Sequence, residues 1–309
     1  MSQATMSLSV TPPAASTPAA TEPAYVETVI RPKKGWIGVD WAELWSHREL
    51  LVFLTWRDVK VKYKQAIFGS AWAIVVPLAS VLIYSLVGIA AGFANRTVAG
   101  VPYPVYIYSA LLPWLFLQMA INGGGMSLVN NQALLSKIYL PRLFIPTSMI
   151  GSAMVDMFMS SLVFGGMLAF FYLKSGFTPS HNIVFVPFLV ILLTVSALGT
   201  SYLLSALTVM FRDLRFIIPF ITQLGIWLTA VVYPQTIFIF PTSGGGHYDA
   251  RPWLALNPYA GIVQAFRWAV VGEPLQVMQL CSSIVWAIVL LVGGLFYFKR
   301  VERRFADIA

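Results

Sequence analysis

The 309-residue chain is 58% hydrophobic and only 10% charged, where a soluble domain carries about 25% charged residues. That composition excludes an ordinary soluble globular protein and points to one that crosses a membrane several times. The formal net charge of +8 would raise nucleic acid as a partner for a soluble chain. Here the simpler reading is that Lys and Arg gather in cytoplasmic loops, and no nucleic-acid partner is expected.

Residues 1–32 are rich in Ala, Pro, Thr and Ser and lack the continuous apolar core of a secretory signal. They read as a solvated, disordered tail. The next stretch, 47–64, mixes charge with large apolar residues. Leu50, Phe53, Leu54 and Val61 fall at helical spacing. Arg57, Asp58, Lys60, Lys62 and Lys64 keep it out of the membrane centre, where each would cost about 2.5–3.5 kcal/mol. An amphipathic helix along the cytoplasmic membrane surface is predicted. It is joined directly to the first span and able to receive a soluble partner.

Six spans are predicted at 67–94, 103–122, 143–173, 183–211, 216–240 and 277–298, each long enough for about 30 Å of hydrocarbon. Gly88 and Gly92 form a GxxxG in the first, a pattern that allows close helix approach. Sixteen Lys and Arg lie before the first span, in the second-to-third and fourth-to-fifth connections and at the C-terminus, against four on the other side. Both termini are therefore expected in the cytoplasm. Residues 127–139 read as a short amphipathic helix on the cytoplasmic side. The outer connection, 241–276, is too short for two more crossings and too apolar for a solvated loop. It reads as re-entrant or interfacial helices over an outer cavity. The fold class is thus an all-α membrane protein of six spans, with an N-terminal interface helix and re-entrant outer helices.

Signals for catalysis are sparse. The three His are far apart and show no metal-ligand spacing. No Walker A pattern occurs, so ATP-driven work would need an ATPase on another chain. The lone Cys281 says nothing of redox compartment. Asp156 is the one acid well inside a predicted span, about 20 Å along it. It reads either as a proton relay or as a structural hydrogen bond to a neighbouring helix. Phe216, Phe220, Gln223 and Trp227 share a face of the fifth span, Tyr103, Trp114 and Gln118 a face of the second, and Ser80 and Tyr84 a face of the first. Rings interleaved with amides and hydroxyls suit a sugar polymer; packing or lipid contact is the plainer reading of any single ring.

Short landmarks in fixed order carry a family resemblance. They are the run Arg57 to Lys64, Phe68-Gly69-Ser70-Ala71-Trp72, Pro113-Trp114-Leu115-Phe116, Lys137-Ile138-Tyr139-Leu140-Pro141-Arg142, Phe211-Arg212-Asp213, Leu256-Asn257-Pro258 and Phe266-Arg267. The ending Glu302-Arg303-Arg304-Phe305-Ala306-Asp307 completes the series. Over residues 44–308 the chain resembles permease subunits of ABC-2-type exporters for O-antigen, capsule and teichoic acid. The 244–249 insert departs from the family's usual outer loop.

The resemblance implies a homodimer in a bacterial inner membrane, with two separate nucleotide-binding ATPase subunits on the cytoplasmic side. It also implies a glycan on an undecaprenyl-pyrophosphate-type lipid, passing through the dimer seam. Mg-ATP would be held by the partner, and no cofactor or metal by this chain. Segment 47–64 would be the interface helix, 127–139 the coupling helix and 241–276 the outer gate. The candidates are Arg57, Asp58, Lys137, Arg142, Arg212 and Asp213 toward the ATPase. Tyr84, Trp114, Phe220 and Trp227 are candidates for glycan contact, and Asn257 and Arg267 for the outer gate. Arg212 and Asp213 also read as a helix-end ion pair. Rival readings are an exporter of a drug or small lipid, and a membrane enzyme acting on polyprenyl-linked sugar.

Overall fold

The computed structural model describes residues 41–64, 69–98, 100–135, 137, 140–241 and 247–302. The expected tail, the glycine turn at 244–246 and the stretch beyond residue 302 lie outside them. The described residues are mostly helical. Short α1 (Trp41–Ser46) and α2 (Arg48–Lys64) precede α3 (Trp72–Ala90) and α4 (Tyr103–Asn130). Then come α5 (Gln132–Leu135), α6 (Phe144–Ser175), α7 (Val186–Met210), α8 (Leu214–Leu228), α9 (Ala260–Val271) and α10 (Val277–Glu302). Among the described residues, five helices are long and apolar enough to cross a membrane: α3, α4, α6, α7 with the 3-10 turn before it, and α10.

The sequence predicts a sixth span at 216–240, where the structure has the 15-residue α8. At 1.5 Å per residue that is about 22 Å, short of ~30 Å of hydrocarbon. The helix ends because Thr229 caps it and Ala230 turns left-handed at φ 55°. No Gly or Asn marks this break, which is the usual signal. Hydrophobic periodicity therefore runs straight through it.

The organising helix is α4. Its most apolar 18-residue stretch is 78% buried, and it packs on α3, α6, α7, α8 and α9. Tyr106, Leu111, Trp114 and Phe116 of α4 form the main core with Leu193 and Phe266. A smaller cluster of Leu128, Leu140, Leu143, Ala206 and Phe298 closes the opposite end. Small residues set the helix spacing. A β-carbon at Gly124 would strike Ser201, and one at Gly199 would strike the α10 backbone at Leu290 and Leu291. The GxxxG glycines divide their roles: Gly88 makes room for the Tyr103 ring, while Gly92 has open space around it.

Residues 239–271 hold a short antiparallel strand pair (Ile239–Pro241 with His247–Asp249), a 3-10 turn Arg251–Leu256 and α9. The apolar α9 is buried nearly all round, packed against α4 and α10. Along α2 the predicted stripe divides. Leu54 is buried at 3% exposure, while Phe53 and Val61 point outward with Val52 and Trp56. The helix is apolar on two sides, one of them packed on α6.

Candidate functional site

The packed side of α2 carries a ladder of polar contacts. Arg57 binds the adjacent Asp58 carboxylate at 2.6 Å and donates to the Asn131 side-chain oxygen at 3.1 Å. Asn131 closes α4, next to α5. The other oxygen of Asp58 accepts from Ser148 of α6 at 2.8 Å. One turn on, Lys62 donates to Asp156 at 2.5 Å, and the Tyr63 hydroxyl donates to the same carboxylate. Burial, then the neighbouring carboxylate, push the Tyr63 hydroxyl pKa upward. Gly151 permits the approach, since a β-carbon there would strike Thr55 at 2.8 Å.

Asp156 therefore has hydrogen-bonding partners on a neighbouring helix, α2, as one of its two sequence readings requires. A carboxylate 8% exposed is stable because a cation and a hydroxyl satisfy it. Reading the sequence missed Lys62 and Tyr63 as its companions, and Ser148 as a companion of Asp58. The one available signal was an acid in a span with no second charge nearby.

The other residues assigned toward the ATPase are spread out. Arg142 donates to the Glu302 carbonyl, and Lys299 pairs with Glu302 at 2.8 Å. Lys137, Arg212 and Asp213 are exposed. Among the described residues no ion pair joins Arg212 to Asp213, which lie at the α7–α8 turn. Of the expected 127–139 helix, 127–130 belongs to α4 and Gln132–Leu135 is a separate turn of helix. Residues 136, 138 and 139 lie outside the described set.

The four residues assigned to the glycan separate. Phe216, Phe220, Gln223 and Trp227 stay together on the exposed side of α8, with Phe220 61% and Trp227 44% exposed. Trp227 stacks on Tyr233 at 6.5 Å between ring centres. Trp114 instead lies on the inner side of α8 against Gly225, 3% exposed. Tyr84 is half-buried against the main core.

Asn257 and Arg267 converge on the end of α8. The Asn257 amide donates to the Leu228 carbonyl and the Thr229 hydroxyl, both at 3.2 Å. The Arg267 guanidinium, wholly buried, donates to the carbonyls of Ala230, Val231 and Tyr233 at 2.8, 2.5 and 3.3 Å. These are the carbonyls that the left-handed turn leaves without helical partners. The same cation lies 4.3 Å over the Tyr106 ring. The Tyr106 hydroxyl donates to Glu273 at 3.3 Å, and Glu273 also accepts from Gln264 at 2.8 Å. Glu273, just past α9, escaped the sequence analysis because an acid in a connection reads as solvated.

No family model matches the chain. It is 27% identical over 269 residues to the O-antigen export system permease protein RfbA of Myxococcus xanthus, covering 84% of this chain and 96% of that protein. Two Klebsiella pneumoniae proteins of the same name are 26% and 25% identical over 266 and 263 residues, covering 84% of this chain and 95% of each. Along most of its length the chain is similar to proteins named as O-antigen export permeases, as its ordered landmarks predict.

Proposed function

We propose that this chain is the membrane subunit of an ATP-driven exporter of lipid-linked polysaccharide, most simply O-antigen, working from the bacterial inner membrane. The observation that carries the reading is the likeness to O-antigen export permeases over 84% of the chain. Two copies form the channel, and two separate ATPase subunits dock below, near Lys137, Arg212 and Asp213. Both termini are cytoplasmic. The stretch containing α8 completes the sixth crossing, and α9 is the re-entrant helix of the outer gate.

The exposed ring-and-amide face of α8 lines the glycan path. Rings stack on the C–H faces of sugars and Gln223 offers hydrogen bonds. Asn257 and Arg267 hold the outer end of that face in position. Force from the ATPase reaches α2 through Arg57 and Asn131, and passes to α6 through Asp58, Lys62 and Tyr63.

Deleting the chain from its host tests the reading. Undecaprenyl-pyrophosphate-linked glycan accumulates on the cytoplasmic side if it is right. Unchanged delivery of glycan to the cell surface contradicts it.

A further inference from the structure

The strand pair of the outer connection, Ile239–Pro241 with His247–Asp249, carries a patch of rings. Phe240 pairs with Tyr248 across it, so the two side chains share a face. The Tyr248 hydroxyl accepts the Trp253 indole N–H at 3.0 Å, which joins a third ring by its polar edge. All three rings are exposed, Trp253 at 64%. The patch continues the ring face of α8. Trp227 stacks on Tyr233, whose ring centre lies 5.9 Å from that of Phe238. The Phe238 carbonyl accepts the Ala250 N–H at 2.9 Å, between Tyr248 and Trp253 in the chain. Beside the rings, Arg251 grips Asp249 through Nε and Nη2.

We propose that this patch is an exit subsite, holding uncharged sugar units of the glycan after they leave the ring face of α8. The inference rests on the export reading and extends its path outward. Three observations select a sugar. The indole N–H and the phenol oxygen are tied to each other at their edges, which leaves flat ring faces for the C–H faces of sugars. The Asp249–Arg251 pair cancels its own charge, yet both side chains remain part-exposed. Arg251 Nη1 has no acceptor among the described residues, so its protons are free for sugar hydroxyls. His247 and Asp249 alternate to the other face of their strand and are exposed as well. The strand pair therefore stands in water, since hydrocarbon against that carboxylate would be costly.

Fluorine NMR of the purified full-length chain in nanodiscs, with 5-fluorotryptophan replacing tryptophan, tests this. The Trp253 resonance is the one lost in Trp253→Phe. The probe is the host's O-polysaccharide, released from its lipid by mild acid. It is expected to shift the Trp253 resonance saturably, and to do so equally in the Phe220→Ala, Trp227→Ala double variant. By calorimetry, Trp253→Ala should weaken polysaccharide binding about tenfold, the factor given by about 1.4 kcal/mol, while Tyr248→Phe, which keeps the ring, should change it little. Should Trp253→Ala not be recovered folded, the wild-type shift decides. A Trp253 resonance that the polysaccharide does not move overturns the subsite; the deletion experiment above decides the export reading separately. Broadening by spin-labelled lipid headgroups that the polysaccharide does not relieve would make the patch a membrane anchor. A shift that follows protein concentration alone would make it a contact between two copies. Either result overturns the proposal.

Discussion

Lys62 of α2 and Asp156 of α6 meet at 2.5 Å although 94 positions separate them in the chain. Each explains the other. The lysine brings a charge alongside a spanning helix, and the aspartate offsets it. Removing either partner leaves the other uncompensated, at about 3 kcal/mol or less, because Lys62 is part-exposed and screened. Lys62→Met and Asp156→Asn should each lower the thermal midpoint of the purified protein. Together they should destabilise less than the sum of the two, with a coupling of about 1 kcal/mol or more. Strict additivity would mean the pair does not hold α2.

The rings on the two sides of α8 should respond differently. Phe220→Ala removes mostly exposed surface and should leave stability within about 0.5 kcal/mol of wild type, Trp227→Ala also gives up the Tyr233 stack at about 0.5–1.5 kcal/mol, and both should lower the glycan delivered to the cell surface. Trp114→Ala opens a cavity under Gly225 and should destabilise by about 3–5 kcal/mol. Thermal melts beside immunoblots of surface glycan separate the two effects. Full export with both exposed rings gone would remove them from the glycan path.

How far the sequence could be read differs between elements. The ring face of α8 was legible because Phe216, Phe220 and Trp227 repeat at helical spacing on a helix with a buried and an exposed side. On α4 the same reasoning misled. A helix apolar all round carries no periodic mark of which face is inside, so Trp114 looked like Phe220. Arg267 was legible as a cation in an apolar run, but its acceptors were not. They are carbonyls freed by a left-handed alanine that no residue type announces. The charges of α2 read only as a bar to the membrane centre. They could not show that α6 supplies a partner.

The Arg267 clamp should need its fork. Arg267→Met leaves the Ala230, Val231 and Tyr233 carbonyls without their donor, and each buried unpaired group costs about 1–3 kcal/mol. Arg267→Lys should rescue little, since one ammonium cannot reproduce the planar fork. Hydrogen exchange at residues 228–233 reads this directly: faster exchange is expected in both variants. Wild-type rates in Arg267→Lys would show that charge alone suffices.

Close packing of α7 on α10 should tolerate no side chain at Gly199. Gly199→Leu places its β-carbon on the Leu290–Leu291 backbone and should abolish recovery of folded protein from membranes. Gly92→Ala, with open space around it, meets only the strain of its 73° φ, about 1 kcal/mol, and should be recovered normally. Gel-filtration profiles of the two variants compare them. Equal recovery would contradict the helix contact.

The most direct test of the central claim is reconstitution of this chain with its host's nucleotide-hydrolysing subunit in sealed vesicles. Lipid-linked O-antigen supplied on the ATPase side is then followed to the other face. The account predicts transfer that requires both proteins and ATP, and that falls when Phe220 and Trp227 are replaced by alanine. Transfer by this chain alone, or no transfer with both proteins and ATP present, would contradict it.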